Sequence, residues 1–151
     1  MSSTIDIDRL LLFGLLYCKG THEVKCLALY DILQDALQDM ISATDKEITF
    51  ALIWLYEMST HWIHVWSLEA AKANEVEDKI DKSKVNERFG ELESYKDLLE
   101  EIHENFLDDA FGAASRMSRT EFLEVLNKNV KYLFTPSELR KKVLEQFETN
   151  N

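Results

Sequence analysis

Glycine and proline are scarce. Gly14, Gly20, Gly90, Gly112 and the single Pro136 are all that interrupt 151 residues. The period-two alternation that marks a half-buried strand is nearly absent, so the chain is read as all-α. Cysteine is equally sparse: Cys18 and Cys26 lack the spacing of a zinc knuckle or a redox pair. Both sit among apolar residues on neighbouring helices, which reads as buried free thiols in a reducing compartment. Basic residues are outnumbered, 17 against 28 acidic, and the formal charge of −11 disfavours nucleic acid and anionic membrane while favouring basic partners.

No apolar run reaches the roughly 20 residues that a bilayer requires. The longest dense segment, from Leu10 to Tyr17, follows Asp6 and Asp8, charges of the wrong sign for a signal peptide. A cytoplasmic protein without membrane insertion is expected. Catalytic signatures are missing too, with no Gly-rich phosphate loop, nucleophile elbow or supported Cys-His pair. His61 and His64 share a helix face, yet no third or fourth metal ligand lies near them, so they read as half-buried histidines beside Trp62 and Trp66. Glu100 and His103 supply one Glu-x-x-His where a di-iron bundle needs two copies and further glutamates. No enzymatic role is expected.

What is present is helical punctuation. An apolar helix through Leu15, Leu16 and Tyr17 stops at Gly20, and Thr21 caps a second helix carrying Val24, Leu27, Ala28 and Leu29. Thr44-Asp45-Lys46-Glu47 reads as a capping box opening a third helix with Ile48, Leu52, Leu55 and Tyr56 at helical spacing. Phe50, Ile53, Trp54 and Met58 widen its apolar stripe, and Trp62, Ile63, Val65 and Trp66 follow directly. A helix apolar on more than one face is deeply buried or covered by something else. Residues 69–97 then turn polar, 15 of the 29 being charged, as in a solvated helical connector. From Val85, the positions Phe89, Leu92, Tyr95, Leu99, Ile102 and Phe106 predict one long amphipathic helix. Ser118-Arg119-Thr120-Glu121 reads as another capping box, and Thr135-Pro136-Ser137-Glu138 opens the last helix with a Thr cap and Pro in the first turn.

The joint Lys19-Gly20-Thr21-His22-Glu23-Val24-Lys25, leading to Leu29-Tyr30-Asp31, resembles the link between consecutive hands in the neuronal-calcium-sensor branch of the EF-hand superfamily, in its C-terminal half. Glu121-Phe122-Leu123 is similar to the end of a working hand. The resemblance implies paired helix-loop-helix units in a single EF-hand-like domain over 1–151. Its parts would be a first lobe over 1–68, with a half-hand around Ile5 and Leu10, a charged connector over 69–97, and a second helix-loop-helix over 98–151. Ile41 and Met117 would be the apolar residues that bridge the two loops.

The resemblance also assigns the ligand positions, and both loops are damaged. A calcium loop supplies six to eight oxygens from alternate positions, a Gly at the bend and a closing bidentate Glu. The first loop keeps Asp31 and Asp35, but Leu33 and Ala36 occupy the next ligand and bend positions, three residues are inserted, and closure falls to the short Asp45. The second keeps its closing Glu121 but has Ala110, Gly112 and Ala114 at ligand positions and Arg116 beside them.

The expected function is therefore a non-catalytic, calcium-independent adaptor that binds an amphipathic, basic helix of a partner protein. The groove lining would be Leu12, Phe13, Leu16, Phe50, Trp54, Tyr56, Met58, Trp62 and Trp66, whose aromatic total exceeds the needs of a small lobe. One alternative is a calcium sensor or buffer with an irregular site at Asp31, Asp35, Asp39, Asp45 and Glu121, and another is self-association as a structural oligomer. Too few oxygens converge in either loop for tight binding, so millimolar calcium is expected to leave helical circular dichroism and the thermal midpoint unchanged. Saturable binding near micromolar calcium in a calorimetric titration, abolished by Asp31→Ala, would contradict that expectation.

Overall fold

The computed structural model describes residues 7–33, 40–74, 86–90 and 96–149. Among these, helix α1 (Ile7–Tyr17) is followed by α2 (His22–Leu33), strand β1 (Met40–Ser42) and α3 (Lys46–Glu57). A π-turn over Met58–Trp62 joins α3 to α4 (Ile63–Ala73), so one continuous rod runs from Lys46 to Ala73. A 3₁₀ turn at Glu87–Gly90 precedes α5 (Lys96–Phe111), β2 (Arg116–Ser118), α6 (Arg119–Lys128), a 3₁₀ turn at Lys131–Phe134, and α7 (Pro136–Thr149).

Local chemistry accounts for most of these boundaries. The Val24 amide donates to Thr21 Oγ1 at 3.2 Å, so Thr21 supplies the acceptor that the first turn of α2 lacks. Gly112 adopts φ +55 at the end of α5, the left-handed conformation that terminates helices, and its amide reaches Asp108 O at 2.9 Å. The Ser118 capping box forms as expected: the Glu121 amide donates to Ser118 Oγ and the Ser118 amide donates to Glu121 Oε2. Pro136 occupies the first position of α7, where its missing N–H leaves no helical bond unmade.

The helix, strand, helix order occurs twice, and the two strands pair antiparallel. Ile41 lies opposite Met117, Met40 opposite Ser118 and Ser42 opposite Arg116. Behind this bridge one apolar core draws on both halves, with Leu12 and Leu16 from α1, Tyr30 from α2, Leu55 from α3, Phe106 from α5, Phe122 and Leu126 from α6, and Leu139 and Val143 from α7. Helix α1 lies on α2 and α3, α2 packs on α6, and α5 packs on α7.

Two sequence expectations need correction. The third helix has no Thr44–Glu47 capping box: Asp45 is its N-cap, makes no side-chain cap bond, and accepts the Ser42 amide at 2.9 Å instead. Nor is the helix expected from Val85 α-helical at its start, because Glu87–Gly90 is a 3₁₀ turn, while Val85, Leu92 and Tyr95 lie outside the described residues. The periodicity was misleading because Phe89 is a core residue in its own right, 0% exposed.

Truncating a fully buried aromatic costs about 3–5 kcal/mol. Phe89→Ala is accordingly expected to lower stability by that amount in urea unfolding. A loss below about 1 kcal/mol, the scale of ordinary surface changes, would mean that the 86–90 turn is not part of the core.

Candidate functional site

The two loops spend their best-placed carboxylates on the backbone. Asp45 follows β1 and accepts the Ser42 amide at 2.9 Å, while Glu121 follows β2 and accepts the Ser118 amide at 2.8 Å. The paired positions do the same work: each carboxylate folds back on its own strand. Asp31 is exposed, whereas Asp35 and Asp39 lie outside the described residues. Among the described residues no three His, Cys, Asp or Glu side chains converge to hold a metal ion. Among them, too, no helix is long and apolar enough to cross a membrane.

The expected groove residues separate into two groups. Leu12, Leu16, Tyr56 and Met58 are core residues, buried between helices, and add nothing to an exposed apolar face. They fell in the same apolar pattern as the surface set because their helices are apolar nearly all round. Phe13, Trp54 and Trp62 are half-buried, while Phe50 and Trp66 are exposed. Four of them form a continuous aromatic face, with ring centroids 6.5 Å apart for Trp54–Trp62, 6.0 Å for Trp62–Trp66 and 6.2 Å for Phe13–Trp66, and Phe50 joins it through Arg9. Arg9 lies over Trp54 at 4.5 Å and over Phe50 at 5.5 Å, and the Trp54 indole N–H reaches Arg9 O at 3.4 Å. Cation–π contacts of this kind hold the start of α1 against α3.

Helix α1 presents a second apolar surface. Ile7, Leu10, Leu11, Gly14, Tyr17 and Cys18 recur at three- and four-residue steps, opposite the buried Leu12, Leu15 and Leu16. Ile7 is 66% exposed, Leu10 57% and Leu11 48%. No position of this stripe carries a charge, while Asp8 and Arg9, also exposed, lie beside it and Gly14 within it is half-buried. Cys18 is exposed, contrary to the expectation that both thiols are buried. Cys26 is buried, and burial pushes its thiol up to about 11.

The π-turn anchors both surfaces. Ser59 Oγ donates to Leu55 O at 2.7 Å and Thr60 Oγ1 donates to Tyr56 O at 2.7 Å, so buried hydroxyls occupy carbonyls within the widened turn. Outward, the Tyr17 hydroxyl donates to Met58 O at 3.2 Å and Arg140 Nη1 donates to Ser59 O at 3.3 Å. Arg140 is only 6% exposed, and no carboxylate lies within ion-pair distance of it among the described residues. Burial raises the Tyr17 hydroxyl above its ordinary value, while the nearby Arg140 charge pulls it the other way. His61 Nδ1 lies 2.7 Å from Phe89 O, which ties the 3₁₀ turn to the same segment. Sequence reading found the aromatic density here but missed Arg140 and the π-turn; the polar trio Ser59-Thr60-His61 inside an apolar helix was the available signal.

His64, three residues on, is buried against Gly90, where an added Cβ would lie 3.3 Å from its Nε2. Its Nδ1 has no hydrogen-bond partner among the described residues. Burial, reinforced by the neighbouring His61, holds the ring below the ordinary 6.5. His103, 3.1 Å from Thr49 Oγ1, is also lowered by burial, partly offset by Glu104.

Compared with protein-family models, with curated proteins and with solved structures, the chain finds no match.

The histidine shifts fix a sign. Both rings are kept neutral by folding, so the unfolded chain binds more protons below the ordinary value of 6.5. Their contribution to stability is present above that pH and is lost as pH falls towards the lower folded values. The thermal midpoint is expected to fall from about pH 7.5 to about pH 5.5, and less steeply in a His64→Gln, His103→Gln double variant. Equal slopes in the two proteins would contradict this assignment.

Proposed function

We propose that this chain is a degenerate EF-hand-like pair working as a non-catalytic, calcium-independent interaction module, and that its docking face is the solvent side of α1 with the adjoining aromatic face. The observation that carries the reading is the uncharged, exposed stripe from Ile7 to Cys18. Contiguous exposed apolar patches are uncommon on monomers and mark binding surfaces. The EF-hand assignment is supported by the twice-repeated helix, strand, helix order and by Ile41 lying opposite Met117. Calcium independence is supported by the engagement of Asp45 and Glu121 with backbone amides.

Gly14 adds a geometric argument. It lies mid-helix on the exposed stripe, where glycine costs about 1 kcal/mol relative to alanine. A Cβ there would meet only Cys18 Sγ, at an ordinary 3.8 Å, so among the described residues no neighbour requires its absence. A partner backbone crossing α1 closely would account for it. Beside the N-terminal end of α1 a cavity of about 220 Å³ lies among Leu12, Ile32, Leu33, Phe50 and Ala51. Asp8 and Glu47 line it with Lys46, which suits an apolar anchor flanked by basic residues. The formal charge of −11 points the same way, since it attracts a basic amphipathic helix and opposes pairing with a second copy.

The test uses an 18-residue Lys/Leu amphipathic peptide and a Glu/Leu counterpart as fluorescent probes. Saturable binding of the first alone is expected, weakened about tenfold or more by Leu10→Glu with Leu11→Glu, at little loss of thermal midpoint because both side chains are exposed. Equal binding of both peptides, an undiminished affinity in the variant, or a concentration-dependent dimer buried through α1 would overturn the proposal.

A further inference from the structure

A separate cleft of about 210 Å³ lies between α5 and α7, away from the docking face. Its lining includes Asn105 and Asp109 of α5, Tyr132 of the second 3₁₀ turn, Lys142 and Glu145 of α7, and Tyr56 of α3. Tyr56 is 2% exposed and its hydroxyl has no hydrogen-bond partner among the described residues. Tyr56 is one of the residues lining the cleft, and the groups that act on its hydroxyl beyond burial are Tyr132 and Asp109 of the same lining. A buried hydroxyl without a partner is unfavourable, and burial with these neighbours keeps it neutral by raising its ionisation above the ordinary range. It remains both donor and acceptor.

The cleft already holds one ammonium. Lys142 Nζ lies 3.9 Å from the centre of the Tyr132 ring, a cation–π contact on the cleft wall. Among the described lining residues Lys142 is the only cation, against the carboxylates of Asp109 and Glu145, so they carry an excess of one negative charge. Three features thus converge on one chemistry: an aromatic face suited to a cation, a carboxylate to pair with it, and an orphaned hydroxyl able to accept an N–H.

We infer that the cleft is a binding site for a small aliphatic amine with primary ammonium groups, of the diamine or polyamine class. The ligand ammonium displaces Lys142 from the Tyr132 face, pairs with Asp109 and donates to the Tyr56 hydroxyl. Lys142 is the resident competitor, and its side chain swings towards solvent when the ligand enters. Burial and Asp109 push the Tyr132 phenol up to about 12, so it is neutral at the pH where the ligand carries its charge.

The experiment is calorimetric titration of the full chain with 1,4-diaminobutane at about 0.15 M salt, which screens loose binding to the acidic surface, with 1,4-butanediol as the uncharged control. The diamine is expected to bind once per chain and the diol not at all. Asp109→Asn should weaken binding about tenfold or more, and Tyr56→Phe should weaken it while leaving the fold intact. Lys142→Met should strengthen binding several-fold, because it removes both the competitor and its charge; a site elsewhere on the acidic surface has no reason to single out these residues. No saturable binding to either wild type or Lys142→Met, equal binding of the diol, or an affinity unchanged by Asp109→Asn would overturn the inference.

Discussion

The capture of two π-turn carbonyls by side chains from distant helices is the interaction on which the rest of this structure depends. Tyr17 of α1 donates to Met58 O, and Arg140 of α7 donates to Ser59 O. His61, in the same turn, reaches Phe89 O of the 3₁₀ turn. Five residues therefore tie together elements from both ends of the chain. A hydrogen bond from a charged donor is worth about 1.5–3 kcal/mol, and leaving the guanidinium buried without an acceptor would cost at least as much. Ser59 and Thr60 make the geometry self-consistent, since their hydroxyls occupy the Leu55 and Tyr56 carbonyls from inside the turn. The added residue of a π-turn changes which way the following helix faces, and that change positions Trp62 and Trp66 beside Phe13.

The strand bridge and the π-turn divide the work. The Ile41–Met117 pair holds the two helix-strand-helix units edge to edge, and Asp45 and Glu121 each close a strand end by accepting its amide. In a metal-binding loop those carboxylates would be free to turn towards a cation. Here each accepts a backbone amide of its own strand end. Away from the loops, the described residues present the uncharged side of α1, the aromatic face beside it, and the mixed-charge cleft under Lys142.

Much of this was legible from local signals. Thr21, the Ser118–Glu121 box and Pro136 are short-range chemistry, and each marks a helix start where the sequence places it. The opposition of Ile41 and Met117 followed from counting loop positions in a resemblance, and the observed register agrees with it. What sequence could not supply depends on distance. Arg140 looks like one more surface cation on an amphipathic helix until α7 is docked on the π-turn. Leu12, Leu16, Tyr56 and Met58 carry the same apolar pattern as Phe13 and Trp66, and only the direction of packing separates core from face. Phe89 sits in a 3₁₀ turn rather than an α-helix, because three- and four-residue spacing does not tell the two kinds of turn apart.

The most direct test of this account is near-ultraviolet circular dichroism of Arg140→Met, read beside the far-ultraviolet helical signal. The methionine fills the buried space without an N–H for Ser59 O, so the turn loses its grip on α7 while the helices retain their own hydrogen bonds. The account predicts that the tryptophan bands of Trp54, Trp62 and Trp66 collapse or change sign while helix content stays close to wild type. Tryptophan bands indistinguishable from wild type would contradict the claim that the π-turn contact sets the aromatic face.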